Sequence, residues 1–139
     1  MRLLTRLLDA AISALPSDLR RHVVIFGSAP MVFAGLKDDV KHDLDLFVSE
    51  DTFGRLVDAG YPADGERSDV PRIALATDVE VFKTWLGVTF PETYVASALR
   101  EGSRGLRVAS LHHVLAFKLA SNREKDQHDI ALLRRALSS

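Results

Sequence analysis

Two aspartates, Asp43 and Asp45, stand two residues apart in the run Asp43-Leu44-Asp45-Leu46-Phe47-Val48. On an extended strand, residues i and i+2 share a face, so both carboxylates point the same way. The apolar neighbours mark a buried strand. Two carboxylates side by side there repel unless a cation lies between them. Hard oxygen ligands grouped like this suit Mg²⁺ or Mn²⁺. The plainer alternative is a pair on an exposed edge, or one that caps local backbone.

Three further groups carry chemistry. Gly27-Ser28 follows the apolar run His22–Phe26 and precedes Pro30. Glycine permits a sharp turn and a close approach. A helix starting there would offer free N–H groups and a positive dipole end to an anion such as phosphate, although Ser28 could equally be a plain N-cap. Glu80 lies in Val79-Glu80-Val81-Phe82. It completes a metal site if its strand adjoins that of Asp43 and Asp45; otherwise it faces solvent, and Asp78 has the same parity. Lys118 falls on the stripe Leu111, Val114, Leu115, Leu119, and Asp126 and Asp129 precede Ile130 and Leu133 by one turn. Lys118 therefore snorkels outward, enters a polar cavity, or forms a structural ion pair with Asp126 or Asp129. Asp126 also suits a helix first turn. His42 reads as a loop residue next to the aspartates, and Trp85 as core or pocket lining. His112, His113 and His128 have no ligand spacing.

The elements that must position these groups follow from periodicity. Leu4, Leu7, Leu8, Ala11, Ile12 and Leu15 predict an amphipathic helix ending before Pro16 and packing on the core. Residues 22–26 predict a buried strand, then a short helix through Met31, Val32, Phe33 and Leu36 and a polar loop over 37–41. Residues 43–48 predict the aspartate strand. Asp51 or Thr52 would cap a helix over 53–59, and 61–71 reads as loop. Strands are expected over 72–77 and 79–83, with a turn at Thr77 and Asp78, and over 105–109. Residues 90–100 fit strand or helix. Ser110 would cap a helix through Leu119, and a last helix would run from about Glu124 to Leu137. This order predicts one domain over 1–139 of class α/β (α+β). A small mixed sheet over 22–109 is flanked by an N-terminal helix (1–15) and two C-terminal helices (110–138).

Composition sets the outer bounds. The chain has 139 residues, 47% hydrophobic and 27% charged, enough for a true core and too apolar for intrinsic disorder. With 18 basic and 19 acidic residues its net charge is -1, which excludes a strongly cationic nucleic-acid binder. The absence of cysteine excludes a disulfide scaffold, a zinc–thiolate site and a thiol nucleophile. No apolar run approaches the roughly 20 residues of a membrane span. Arg6 and Asp9 break the N-terminal stretch that a signal peptide would need. A cytoplasmic location without membrane attachment is expected.

Taken in order, Phe26-Gly27-Ser28, a helix, Asp43-Leu44-Asp45-Leu46 and a later strand acid resemble the nucleotidyltransferase superfamily. The segment from Leu115 through Lys118 and Arg123-Glu-Lys-Asp126 to Asp129 resembles that of AbiEii-like nucleotidyltransferases, which include toxins of type IV-like toxin–antitoxin systems. The resemblance spans roughly residues 22–137. It implies a polymerase-beta-like nucleotidyltransferase fold and transfer of an NMP from an NTP to a hydroxyl on RNA (a tRNA included), a protein or a small molecule. By this resemblance Gly27 and Ser28 hold the triphosphate, and Asp43 and Asp45 bind Mg²⁺ or Mn²⁺ with Glu80 as third acid and base or ligand. Lys118 contacts phosphate, and Asp126 or Asp129 supports the site or the lysine. A cognate antitoxin or partner subunit is a further implication. The alternative is a catalytically inactive nucleotide-binding or partner-binding module of the same fold. Asp43→Asn or Asp45→Asn is expected to abolish metal-dependent activity with the fold intact.

Overall fold

Alternating apolar residues at the chain's centre build a mixed sheet whose two faces are made of different things. The structure, a computed structural model, describes residues 2–64, 71–85, 88–89, 100–101 and 103–138. The main sheet is formed by β1 (Val24–Phe26), β2 (Leu44–Phe47), β3 (Ala63–Asp64), β4 (Arg72–Ala76), β5 (Val79–Phe82), β8 (Arg100–Glu101) and β9 (Arg107–Val108). Their spatial order is β3-β4-β5-β2-β1-β9-β8. β2 runs antiparallel to β1 and parallel to β5, and β1 runs parallel to β9. A separate two-stranded ribbon joins β6 (Thr84–Trp85) to β7 (Val88–Thr89). The class is therefore mixed α/β, as the element order predicts.

Register sorts the side chains. Ile25 pairs with Leu46, Leu46 with Val81, and Val81 with Ile73, a row of branched side chains on one face. Against it pack α1 (Leu3–Ala14), through Leu4, Leu7, Leu8 and Ala11, and α3 (Glu50–Asp58), through Phe53 and Leu56. On the opposite face Val24 pairs with Phe47 and Phe47 with Phe82, while Phe26 pairs with Asp45 and Asp45 with Glu80. This face is covered by α4 (Leu111–Ser121) and α5 (Gln127–Leu137), through Val114 and Leu133. Its aromatics interlock: the Phe26 ring meets Phe47 and Phe117 edge-on, each at 4.7 Å between centroids.

Several boundaries differ from expectation for local reasons. Residues 17–22 form a 3₁₀ turn that buries Leu19, so the first strand begins at Val24. α3 starts earlier than expected because Ser49, not Asp51 or Thr52, is its cap; the Ser49 hydroxyl accepts the Thr52 N–H. Ala63 and Asp64 pair with β4 inside the expected loop. The second helix, α2 (Ala29–Phe33), has only five residues. Ser110 caps α4 as expected, and Asn122, at φ 47°, ends it in the left-handed conformation. A 3₁₀ turn over Glu124–Asp126 leads into α5. Leu119, placed on the buried stripe of α4 by periodicity, is 40% exposed because Val114 and Lys118 hold the inward line. The expected element over 90–100 falls outside the described residues up to position 99, as does the Trp85 side chain. Among the described residues no helix is long and apolar enough to cross a membrane.

Candidate functional site

β1 ends at Phe26 and the chain reverses through Gly27 at φ +66°, a conformation few side chains tolerate. A Cβ at Gly27 would lie 2.7 Å from Asp45 Oδ2. Glycine is thus required twice, for its backbone angle and for the approach of a carboxylate carried by the neighbouring strand. Ser28 follows, and its hydroxyl does not cap α2. It donates to Asp129 Oδ2 at 3.1 Å and accepts from Lys118 Nζ at 3.4 Å. A helix of little more than one turn has almost no summed dipole. The positive charge beside Ser28 comes instead from Lys118 and Lys37.

The acids lie on neighbouring strands. Asp45 is directly paired with Glu80 across the parallel β2–β5 ladder, and Asp43, two residues earlier, shares their face. All three line one cavity of about 600 Å³ together with Gly27, Ser28, Lys118, Asp126 and Asp129. Burial is the main reason the Asp45 carboxyl is pushed up to about 7; the charges of Asp43 and Glu80 add to it, and Lys118 and Arg123 only partly offset them. Glu80 is held by Arg72, whose Nη1 lies 2.8 Å from Oε2. Asp78 instead occupies the β4–β5 turn at φ +61°, away from the cavity lining.

The donor set fits a hard divalent cation in kind. It offers carboxylate oxygens only, and the half-buried Asp45 carboxyl, raised by burial and by Asp43 and Glu80, is one that a cation would favour in its ionised form. The three acids are not gathered around one point, and among the described residues no three ligand-type side chains converge closely enough to hold an ion alone. Asp43 and Asp45 would hold such a cation, with substrate oxygens or water completing its shell.

The opposite wall comes from α4 and α5. Lys118 is 8% exposed, so it does not snorkel to solvent. Its Nζ sits 3.1 Å from Asp129 Oδ2 and 3.7 Å from Asp126 Oδ1. Asp129 also binds Lys37 Nζ at 2.9 Å. Burial works against ionisation of Asp129, but the Lys37 hydrogen bond and the Lys118 charge outweigh it and hold the carboxyl below its ordinary range. Asp126 follows the same balance: burial raises it, and the Arg123 guanidinium at 2.9 Å brings it down. Asp126 also accepts the Arg123 backbone N–H at 3.2 Å, which caps the turn before α5.

Gly27, Ser28, Asp43, Asp45, Glu80, Lys118, Asp126 and Asp129 therefore all line this one cavity, and His42 lines it too; Asp78, the alternative to Glu80, does not. Sequence reasoning missed Lys37 and Arg72, and gave Arg123, though it lies in the quoted C-terminal segment, no role of its own. The three-residue spacing of Arg123 and Asp126 was a usable signal, since such pairs face each other on a helical turn. Lys37 had none, because its partner lies 92 residues away. Phe26, Phe47, Phe82 and Phe117, with Val40 and Val114, form the apolar part of the lining.

Comparison with family models, with curated proteins and with solved structures finds no match to this chain.

Proposed function

We propose that this protein is a metal-dependent nucleotidyltransferase that moves an NMP from an NTP to a hydroxyl acceptor. The observation that carries the reading is the meeting of Asp43, Asp45 and Glu80 with the Gly27-Ser28 turn and Lys118 around one cavity. Strand acids facing Lys118, with Lys37 and Arg123 in the same lining, suit a substrate that is a metal-bridged polyphosphate. The nucleotidyltransferase fold belongs to the same proposal, supported by the order of these motifs along the mixed sheet.

The chain's own groups have separable roles. Asp43 and Asp45 would hold Mg²⁺ or Mn²⁺, which would supply charge neutralisation to the reacting phosphates. Lys118 and the Ser28 hydroxyl bind outer phosphate oxygens and orient the chain for in-line attack. Glu80, anchored by Arg72, accepts the acceptor hydroxyl's proton or completes the cation's shell. Asp126 and Asp129 hold the Lys118 ammonium in place. The aromatic lining keeps water from that side of the cavity.

The test is transfer itself. Purified protein is incubated with Mg²⁺ or Mn²⁺, each α-labelled NTP and total cellular RNA or protein. Label on a polymer in the wild type, lost in Asp43→Asn and Asp45→Asn, is the expected outcome. Label-free polymers and small-molecule fractions, or unchanged transfer in both variants, contradict the proposal.

One observation favours a second reading, a nucleotide-binding module without turnover. Glu80 is engaged by Arg72, and Lys118 by two internal acids. Binding of metal–nucleotide without transfer to any acceptor would support that reading. A partner subunit or antitoxin, a tRNA acceptor and a cytoplasmic location extend the resemblance to AbiEii-like enzymes; of these the transfer assay tests the acceptor.

A further inference from the structure

The loop between α2 and β2 reaches in two directions. Lys37 points into the cavity, where its ammonium meets Asp129 at 2.9 Å. Two residues on, Asp39 points away to the start of α1. Its Oδ2 accepts the Leu3 N–H at 2.7 Å, and its Oδ1 accepts the Leu4 N–H at 2.9 Å. The same Oδ1 accepts the Val40 N–H at 2.9 Å. α1 has no side-chain cap of its own: Arg2 at its N-cap position makes no capping bond, and its guanidinium donates instead to the Asp38 carbonyl at 3.5 Å. The first N–H groups of a 12-residue helix are therefore satisfied by an acid 35 and 36 residues downstream. Val40, 7% exposed, buries its side chain in the core beneath the same helix.

We infer that Asp39 is a positioning residue for the cavity: by capping α1 it fixes the loop that holds Lys37 against Asp129. Helix capping needs one acceptor at any place in the chain, and a residue at position 2 would normally serve. Placing the acceptor in this loop makes docking of α1 and placement of Lys37 a single event. The hydrogen bonds from Leu4, Leu3 and Val40 hold the Asp39 carboxyl below its ordinary range, so the tie is charged at neutral pH. The inference rests on the nucleotidyltransferase reading only in making Lys37 a neighbour of the bound phosphates. The link from Asp39 through Lys37 to Asp129 is independent of it.

The experiment measures the Asp129 carboxyl by carbon-detected NMR titration, alongside thermal melting, in wild type, Asp39→Ala, Lys37→Met and the double variant. An opposite charge at hydrogen-bond distance lowers a carboxyl by about 1–3. Asp129 is expected to titrate higher in Lys37→Met by roughly that amount. It should move in the same direction in Asp39→Ala, and no further in the double variant than in Lys37→Met alone. If Asp39→Ala does not fold, Asp39→Asn is read instead; it keeps one of the two acceptor oxygens and should give a smaller shift of the same sign. A lower melting temperature with Asp129 unmoved would reduce Asp39 to a helix cap and overturn the inference. Additive shifts in the double variant would overturn it too. Loss of label transfer plays no part in this readout, so failure of the enzyme reading and failure of the Asp39 link remain distinguishable.

Discussion

Asp45 carries its charge against burial and two neighbouring acids, and that cost makes a signed prediction. A carboxyl raised to about 7 binds protons in the folded state that the unfolded chain has already released. Its stabilising effect is present below the ordinary carboxylate range and is lost as pH rises through 7. Each tenfold change in proton affinity is worth about 1.4 kcal/mol. Asp45→Asn should therefore melt several degrees above wild type at pH 8 and close to it at pH 4. Equal melting temperatures at pH 8 would mean the charge is already compensated. Gly27→Ala tests the same contact sterically. The new Cβ meets Asp45 Oδ2 in a left-handed backbone, so a loss of about 1–3 kcal/mol in urea unfolding is expected. At this scale the sequence was informative about acid type and parity. It could not reveal that Gly27 makes room for Asp45, because that contact is set by the antiparallel register of β1 and β2.

Elements place these residues, and α4 is the clearest case. Its Lys118 lies on the inward line with Val114 and reaches the base of α5, where Asp126 and Asp129 wait. Lys118→Met should cost about 2 kcal/mol, less than a fully orphaned buried pair, because Lys37 and Arg123 still hold the two acids. Ser110→Ala should cost about 1 kcal/mol through its lost cap and leave nucleotide affinity unchanged. Affinity measured on the two variants separates helix stability from charge in the cavity. The α4 and α5 patterns were legible because helical periodicity reports which side faces inward, and a lysine or aspartate on that side is conspicuous. The capping of α3 by Ser49 was not, since Asp51 and Thr52 are equally good caps by type. The short helix expected through Leu36 also stops early, at Phe33, with Gly35 in the left-handed conformation just beyond it. Met31, Val32 and Phe33 are apolar enough for a longer helix, but the chain leaves it at Ala34.

Across the whole molecule, opposing titrations shape stability. Asp39, Asp126 and Asp129 are held low, so their contribution is present above the ordinary carboxylate range and is lost as pH falls through it. Asp45 works the other way, its contribution fading as pH rises through 7. Urea midpoints against pH should therefore pass through a maximum between about 4 and 7; a curve rising steadily to pH 8 would contradict the assigned signs. The two-faced sheet explains why one molecule holds both behaviours. One face carries a continuous apolar core under α1 and α3, and the other leaves Asp45 and Glu80 beside the aromatic rings. The element order made the mixed sheet legible, whereas the closeness of Lys37 to Asp129 depends on chain closure over most of the sequence. The central claim is that this cavity binds a triphosphate through a divalent cation held by the twin aspartates. Titration calorimetry with a nucleoside triphosphate, with and without Mg²⁺, tests it most directly. The account predicts binding that requires Mg²⁺ and falls at least tenfold in Asp45→Asn, a loss of about 1.4 kcal/mol; equal affinity without the metal, or in the variant, would contradict it.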